Sequence, residues 1–381
     1  MANKPGNQLR SLTGLRFFAA AMVVIYHFSN VANSVLRNFI EHGTFGVTVF
    51  FVLSGFILAY SYASTPGEMR GNAKNFWAAR VARLYPTYLL GMALMAPVVL
   101  SSHGDSVSLR FSSGVLSLIL GQAWFHSFGL HWGMWNPPGW SLSAEAFFYL
   151  LFPVVCVMLS RLSKGWLVLV GAAFCGLAVS GVFMQSVFPL DAGDFWGFVP
   201  LTRLPEFLVG VTAGLIWKGR TTSSFDRVAP FLTIASALAL VAIMCLRIDT
   251  KWYCSGAFAP LVALFICALA CGQGAVARLL SWRPLVFLGG ASYSLYILHW
   301  PMWRLAYAVS GKSVLAIQQP HIFFAAYFIF TTCLSCVCFK YFEEPLNQLL
   351  RQKLMTTPKP ASQADDVVAQ HDELITAAPQ N

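Results

Sequence analysis

Charged residues are scarce in this chain. Asp, Glu, Lys and Arg make up 10% of its 381 residues, and only 15 are acidic. Soluble domains run near a quarter charged. With a mean hydropathy of +0.63, that shortage excludes a water-soluble globular protein. Short segments of alternating apolar and polar residues are also missing, which excludes a membrane β-barrel. The nine cysteines form no disulfide or metal-ligand spacing. Cys333, Cys336 and Cys338 sit in an apolar run and read as small buried hydrophobes rather than a soft-metal trio. No cleavable signal peptide is expected. The first apolar run is too long, and a second follows without a small-residue cleavage site.

What is present is a series of continuous apolar runs, near 11–31, 45–63, 84–101, 142–160, 165–186, 204–217, 229–247, 255–272, 285–306 and 322–341. A span needs roughly 20 apolar residues. The pattern predicts an all-α polytopic membrane protein of about ten helices enclosing a central cavity. The sixth run is short, and the apolar piece Val115–Phe125 is too short to span. With the N-terminus inside, 17 of the 25 Lys and Arg fall on the inner side, seven outside, and Arg16 within the first run. The positive-inside rule then puts both termini in the cytoplasm. The net charge of +10 is therefore read as topology and not as nucleic-acid binding. Residues 1–10 form a cytoplasmic N-terminus, 11–350 one membrane domain, and 351–381 a polar tail expected to be disordered. The segment from Ser102 to Trp140 is rich in His103, His126, His131, Trp124, Trp132 and Trp135. It reads as an interfacial aromatic belt, or as a surface for stacking on sugar rings.

Ionisable groups inside a span are costly and usually face a bundle interior. Arg16 and His27 are eleven residues apart in the first run, hence on one helical face and about 16 Å apart along it. Arg80 and Arg83 stand one turn apart at a cytoplasmic end. They read either as the positive-inside rule alone or as a phosphate clamp. After the chain break at NPPG, Ser141, Glu145 and Tyr149 form one polar stripe. Glu145 lacks the Ser or Thr three places earlier that a capping box needs. Its expected partner is His27, because the first run ends where the fourth begins. Ser54-Gly55 in the second run reads as a close-packing pair or a ligand approach. Arg203 and Glu206 read as an ion pair at the outer surface. Tyr293, Tyr296 and His299 line a cavity or anchor an interface. Glu343-Glu344-Pro345 reads as a helix stop.

Taken together, these stretches resemble the acyltransferase 3 family of integral-membrane O-acyltransferases. Arg16 and His27 match its signature of Arg or Lys, ten residues, then His. GVTVFFVLSGFILAY, RVARLYP, PPGWSLSAEAFFYLLFP, LPEFLVG and SYSLYILHWP follow in the family's order, and the likeness runs from Leu12 to Leu350. The resemblance implies a ten-span enzyme of the bacterial inner membrane, in a stand-alone form without a fused hydrolase-like domain. It would move an acyl group, often acetyl, from cytoplasmic acyl-CoA to a hydroxyl, usually of a carbohydrate. Acyl-CoA is a co-substrate; no permanently bound cofactor, metal or nucleic acid is expected. On this reading His27 is the general base and Glu145 orients it. Arg16, Arg80 and Arg83 hold the CoA phosphates or thioester region. Ser141, Tyr149, Tyr293, Tyr296 and His299 position substrate. An acyl-histidine intermediate is a variant. The rivals are a transporter or flippase, a same-family enzyme acting on a lipid or macrolide sugar, and a scaffold. The chain has no clear internal repeat, which counts against a transporter.

Overall fold

A computed structural model describes residues 5–27, 39–101, 106–125, 135–187, 197–220, 224–246, 248–249, 252–253, 255–310 and 320–355. The architecture is helical. In order come α1 (Pro5–Tyr26), α2 (Phe45–Tyr62), α3 (Ala73–Leu100), α4 (Val107–Leu118), α5 (Trp140–Ser160), α6 (Lys164–Val187) and α7 (Pro200–Lys218). Then follow α8 (Ser224–Cys245), α9 (Ala259–Ala270), α10 (Gly274–Leu280), α11 (Arg283–Gly290), α12 (Ser292–Ser310), α13 (Pro320–Cys338) and α14 (Glu344–Leu354). His103, His126, His131, Trp132 and the tail from 356 lie outside the described residues.

Seven helices are long and apolar enough to cross a membrane, or eight if the bent pair α9–α10 is one span. Three of the ten expected runs fall outside that seven, for physical reasons. The run at 255–272 holds only the 12-residue α9, after which the chain turns by 84° into α10. Gly272 and Gly274 at the bend have φ of 69° and 87°, where side chains are disfavoured. The run at 285–306 breaks at Ala291 into α11 and α12. The run at 204–217 belongs to α7, which carries Arg203, Glu206 and Lys218. These runs are interrupted or polar, and all three carry buried polar groups. On α5, Leu150, Val154 and Met158 form an i, i+4, i+8 stripe left about 60% exposed. A continuous apolar stripe of this kind fits lipid, not water. The protein is a multi-pass membrane protein.

The ends of the chain depart from the expectations in two places. α1 begins at Pro5, inside the expected N-terminal segment, and α14 runs through Leu354, past the expected start of the tail. Glu343-Glu344-Pro345 does not stop the last helix. A five-residue π-turn, Phe339–Glu343, carries α13 into α14. Pro345 is tolerated because it sits in the first turn of α14, where a missing N–H costs little.

Small residues set the closest helix contacts. Gly210 and Gly214 are four apart on α7 and face α2. A Cβ on Gly210 would lie 2.1 Å from Val52 O, and one on Gly55 2.2 Å from Phe207 O. This is the close backbone approach that small-xxx-small spacing permits. Gly210→Leu is expected to force α2 and α7 apart and lower the thermal midpoint in detergent, since overpacking costs about 1–3 kcal/mol or more. Gly176→Leu is the control: its Cβ meets nothing within 4 Å, so its midpoint should stay put. Between α2, α5 and α7 the core is aromatic, with Phe148 stacked on Phe207 at 5.0 Å and edge-on to Phe51 at 5.1 Å.

Candidate active site

The polar stripe of α5 begins where the chain breaks. Asn136 is buried and donates from Nδ2 to Ile297 O at 3.0 Å. Gln122 donates to Gly139 O at 2.7 Å. These bonds fix the turn Pro137–Gly139 against α12, so α5 enters with Ser141, Glu145 and Tyr149 facing inward. They meet α1, α2, α3 and α12 around a cavity of about 900 Å³, its open mouth included. Eight of the ten expected site residues line it: Arg16, Arg80, Arg83, Ser141, Glu145, Tyr149, Tyr293 and Tyr296. The opposite wall is apolar, from Val47, Phe50, Phe51, Leu53, Ile57 and Leu58.

Three guanidinium groups thus share one cavity with one lining carboxylate. Arg80 stacks between the rings of Phe76 and Tyr62, 5.7 and 5.9 Å from their centroids, and donates to Tyr62 Oη at 3.4 Å. Glu145 stands one turn from Tyr149 on the same face of α5 and feels the charges of Arg16, Arg83 and Arg80. Arg16 in turn feels Glu145 and a second carboxylate, Glu343. No ion pair within 4 Å joins Arg16 to either carboxylate among the described residues. Its donors are therefore available to an anion in the cavity. The hydroxyls are held in place: Tyr293 donates to Leu84 O at 2.6 Å, and Tyr149 lies 3.4 Å from Ser54 Oγ. Ser54 lines the cavity while Gly55 packs on α7, which bears out the close-packing reading of that pair.

His27 and His299 do not line this cavity. They face each other, His27 Nδ1 to His299 Nε2 at 3.2 Å. The expected partnership of His27 with Glu145 is therefore corrected: the neighbour of His27 is His299. The reason is depth. Glu145 interacts at the level of Arg16, and His27 lies eleven residues farther along α1, about 16 Å. One turn outward from Glu145, Ser141 Oγ meets Tyr296 Oη at 2.8 Å. His299 is nearly one further turn along α12 and reaches His27.

Two groups were misjudged from sequence. Arg203 and Glu206 do pair, Nε to Oε1 at 2.9 Å, but in the core and not at the surface: they are 2% and 0% exposed. Arg203 also donates to Thr48 Oγ1 at 3.3 Å and lies over the rings of Phe51 and Trp140. Glu343 is buried and accepts from Ser294 Oγ at 2.5 Å and Thr87 Oγ1 at 3.4 Å. The π-turn aims it inward; no residue pattern announces such a turn, though π-turns recur at functional sites. Of the cysteine trio only Cys338 is buried; Cys336 is half-buried and Cys333 exposed.

The chain belongs to the acyltransferase 3 family: the family's acyltransferase domain matches residues 9–340. Among named relatives, it is 28% identical to the putative peptidoglycan O-acetyltransferase YrhL of Bacillus subtilis, covering 88% of this chain and 54% of that protein. It is 29% identical to the acyltransferase MdmB of Streptomyces mycarofaciens, over 80% and 81% of the two chains. It is 24% identical to the O-acetyltransferase OatA of Staphylococcus aureus, over 93% and 60%. The chain thus spans little more than half the length of two of these relatives. No solved structure matches it.

Proposed function

We propose that this protein is a membrane O-acyltransferase that moves an acetyl group from cytoplasmic acetyl-CoA to a carbohydrate hydroxyl. The observation that carries this reading is the cavity where Arg16, Arg80 and Arg83 meet Glu145 and a set of ordered hydroxyls. Guanidinium forks match phosphate oxygens bidentately, and CoA is rich in phosphate. Two relatives are named O-acetyltransferases, which supports acyl transfer to oxygen, and one of those names carries peptidoglycan as the acceptor. The basic-residue count favours a bilayer orientation with Arg80, Arg83 and both termini cytoplasmic. The bacterial inner membrane is the compartment that offers both cytoplasmic acyl-CoA and envelope glycans.

In the reaction, the acceptor oxygen attacks the thioester carbonyl carbon. An O–C bond forms and the C–S bond breaks. The hydroxyl proton passes to His27 and then to the departing thiolate, which leaves as free CoA. A hydroxyl is a poor nucleophile until a base takes its proton. The phosphates are held by Arg16, Arg80 and Arg83, and the acyl end extends along the apolar wall towards Phe50 and Tyr296. Glu145, one helical turn from Ser141, balances the arginines rather than orienting the imidazole.

The test is direct. Purified protein in liposomes is given acetyl-CoA and glycan fragments released from the host envelope. Free thiol should appear only when both are present, and mass spectrometry should find fragments heavier by one acetyl. Solute movement across the bilayer without CoA release would instead mark a transporter.

A further inference from the structure

Two backbone contacts define the protonation pattern of the paired imidazoles. His27 Nδ1 lies 2.8 Å from Val23 O. A carbonyl oxygen only accepts, so Nδ1 carries the proton. His299 Nδ1 lies 2.6 Å from Tyr296 O and is protonated for the same reason. The two rings then meet at His27 Nδ1 and His299 Nε2, 3.2 Å apart, with centroids 4.9 Å apart. Were His299 Nε2 also protonated, two N–H donors would point at each other. His299 is thus neutral, and its Nε2 lone pair accepts from His27 Nδ1–H. That hydrogen is shared between Val23 O and His299, and the lone pair of His27 is left on Nε2. Among the described residues, that nitrogen makes no hydrogen bond.

The second ring is rigidly held. His299 is fully buried. Its own carbonyl accepts from the Tyr327 hydroxyl of α13. Tyr296, which supplies the carbonyl for His299 Nδ1–H, is tied by its hydroxyl to Ser141 and to Pro138 O at 3.2 Å. The orientation of His27 is therefore set from the cavity wall through α12.

We propose that His299 is a positioning residue for His27. It accepts the Nδ1 proton, fixes the ring, and leaves Nε2 as the nitrogen that takes the proton from the acceptor hydroxyl. When His27 gains that proton it becomes imidazolium, and Nδ1–H donates more strongly to His299 and Val23 O. The proton stays on His27 until the thiolate takes it; none passes to His299. An imidazole thus fills the orienting role that a carboxylate plays in hydrolase triads. The inference rests on the reading of His27 as base.

Two substitutions separate positioning from packing. His299→Gln can place an amide oxygen where Nε2 stood. His299→Met has similar length and no comparable acceptor. With acetyl-CoA and the envelope glycan fragments, His299→Met should lower kcat about 100-fold, within the range a misplaced general base loses. Its KM for acetyl-CoA should stay within about twofold, because the arginines of the cavity are untouched. His299→Gln should recover kcat to within about tenfold of the parent. If Met keeps the parental kcat, if Gln and Met lose it equally, or if Met loses acetyl-CoA binding, His299 does not position the base. If His299→Met does not fold, His299→Asn takes its place, since its shorter amide does not reach His27. His27→Ala is run alongside. Full transfer by that variant rejects His27 itself, a different outcome from a silent His299.

Discussion

His27→Ala protein will bind acetyl-CoA as tightly as the parent and transfer almost none of it. The imidazole is the group with the proton affinity to serve a hydroxyl nucleophile near neutral pH. It sits at the end of α1, beyond the Ser141–Tyr296 contact and away from the cavity arginines. On the proposed function, donor binding and proton removal are therefore assigned to different parts of the molecule. Loss of a general base typically costs about 10²–10⁴ in rate. The expected pattern is a kcat fall in that range with an unchanged dissociation constant for acetyl-CoA. Binding is read by calorimetry and turnover by thiol release. A parallel loss of binding would show that the residue shapes the donor site instead.

The second large effect concerns stability. Arg203→Met alone is expected to destabilise the protein by about 3–5 kcal/mol. The guanidinium and Glu206 are both buried, and the chain closes tightly over them. Gly256, at φ 78°, sits so near that a Cβ would lie 2.4 Å from Glu206 Cγ. No room exists for water to solvate a lone carboxylate there. Removing both charges together, as Arg203→Met with Glu206→Leu, should restore most of the loss, because replacing both partners by apolar groups avoids a stranded ion. Thermal unfolding in detergent reads the order: parent, double variant, then either single change. A single variant as stable as the parent would mean the pair is not buried.

Much of this was legible in the residues. The 3.6-residue spacing that put Ser141, Glu145 and Tyr149 on one face also turned them to one cavity. The eleven-residue interval of Arg16 and His27 gave their separation along α1, Arg16 in the cavity and His27 beside His299 beyond it. The level of Glu145 was not legible. Spacing along a helix gives a face, but the depth at which two helices meet is set by packing, here by α5 fixed to α12 through Asn136 and Ser141. The burial of Arg203 was hidden for a related reason. An i, i+3 pair looks the same in a sequence whether water or Phe51 and Trp140 surround it. The helix break at Ala291 was hidden by an apolar run that passes through it, and the bend at Gly272 and Gly274 falls where the preceding run ends.

The wide turn at Phe339–Glu343 has a consequence for how this protein tolerates change. It holds one residue more than a regular turn needs. Excising a single residue there lets the helix close into regular α turns, and because the wide turn already absorbs that residue, everything beyond it keeps its face. The terminal helix then keeps its outward side, and the change falls on the turn itself, which holds Glu343 against Ser294 and Thr87. Length at this point has one residue of slack: a one-codon deletion is taken up here, whereas in a regular helix it would turn everything beyond by about 100°.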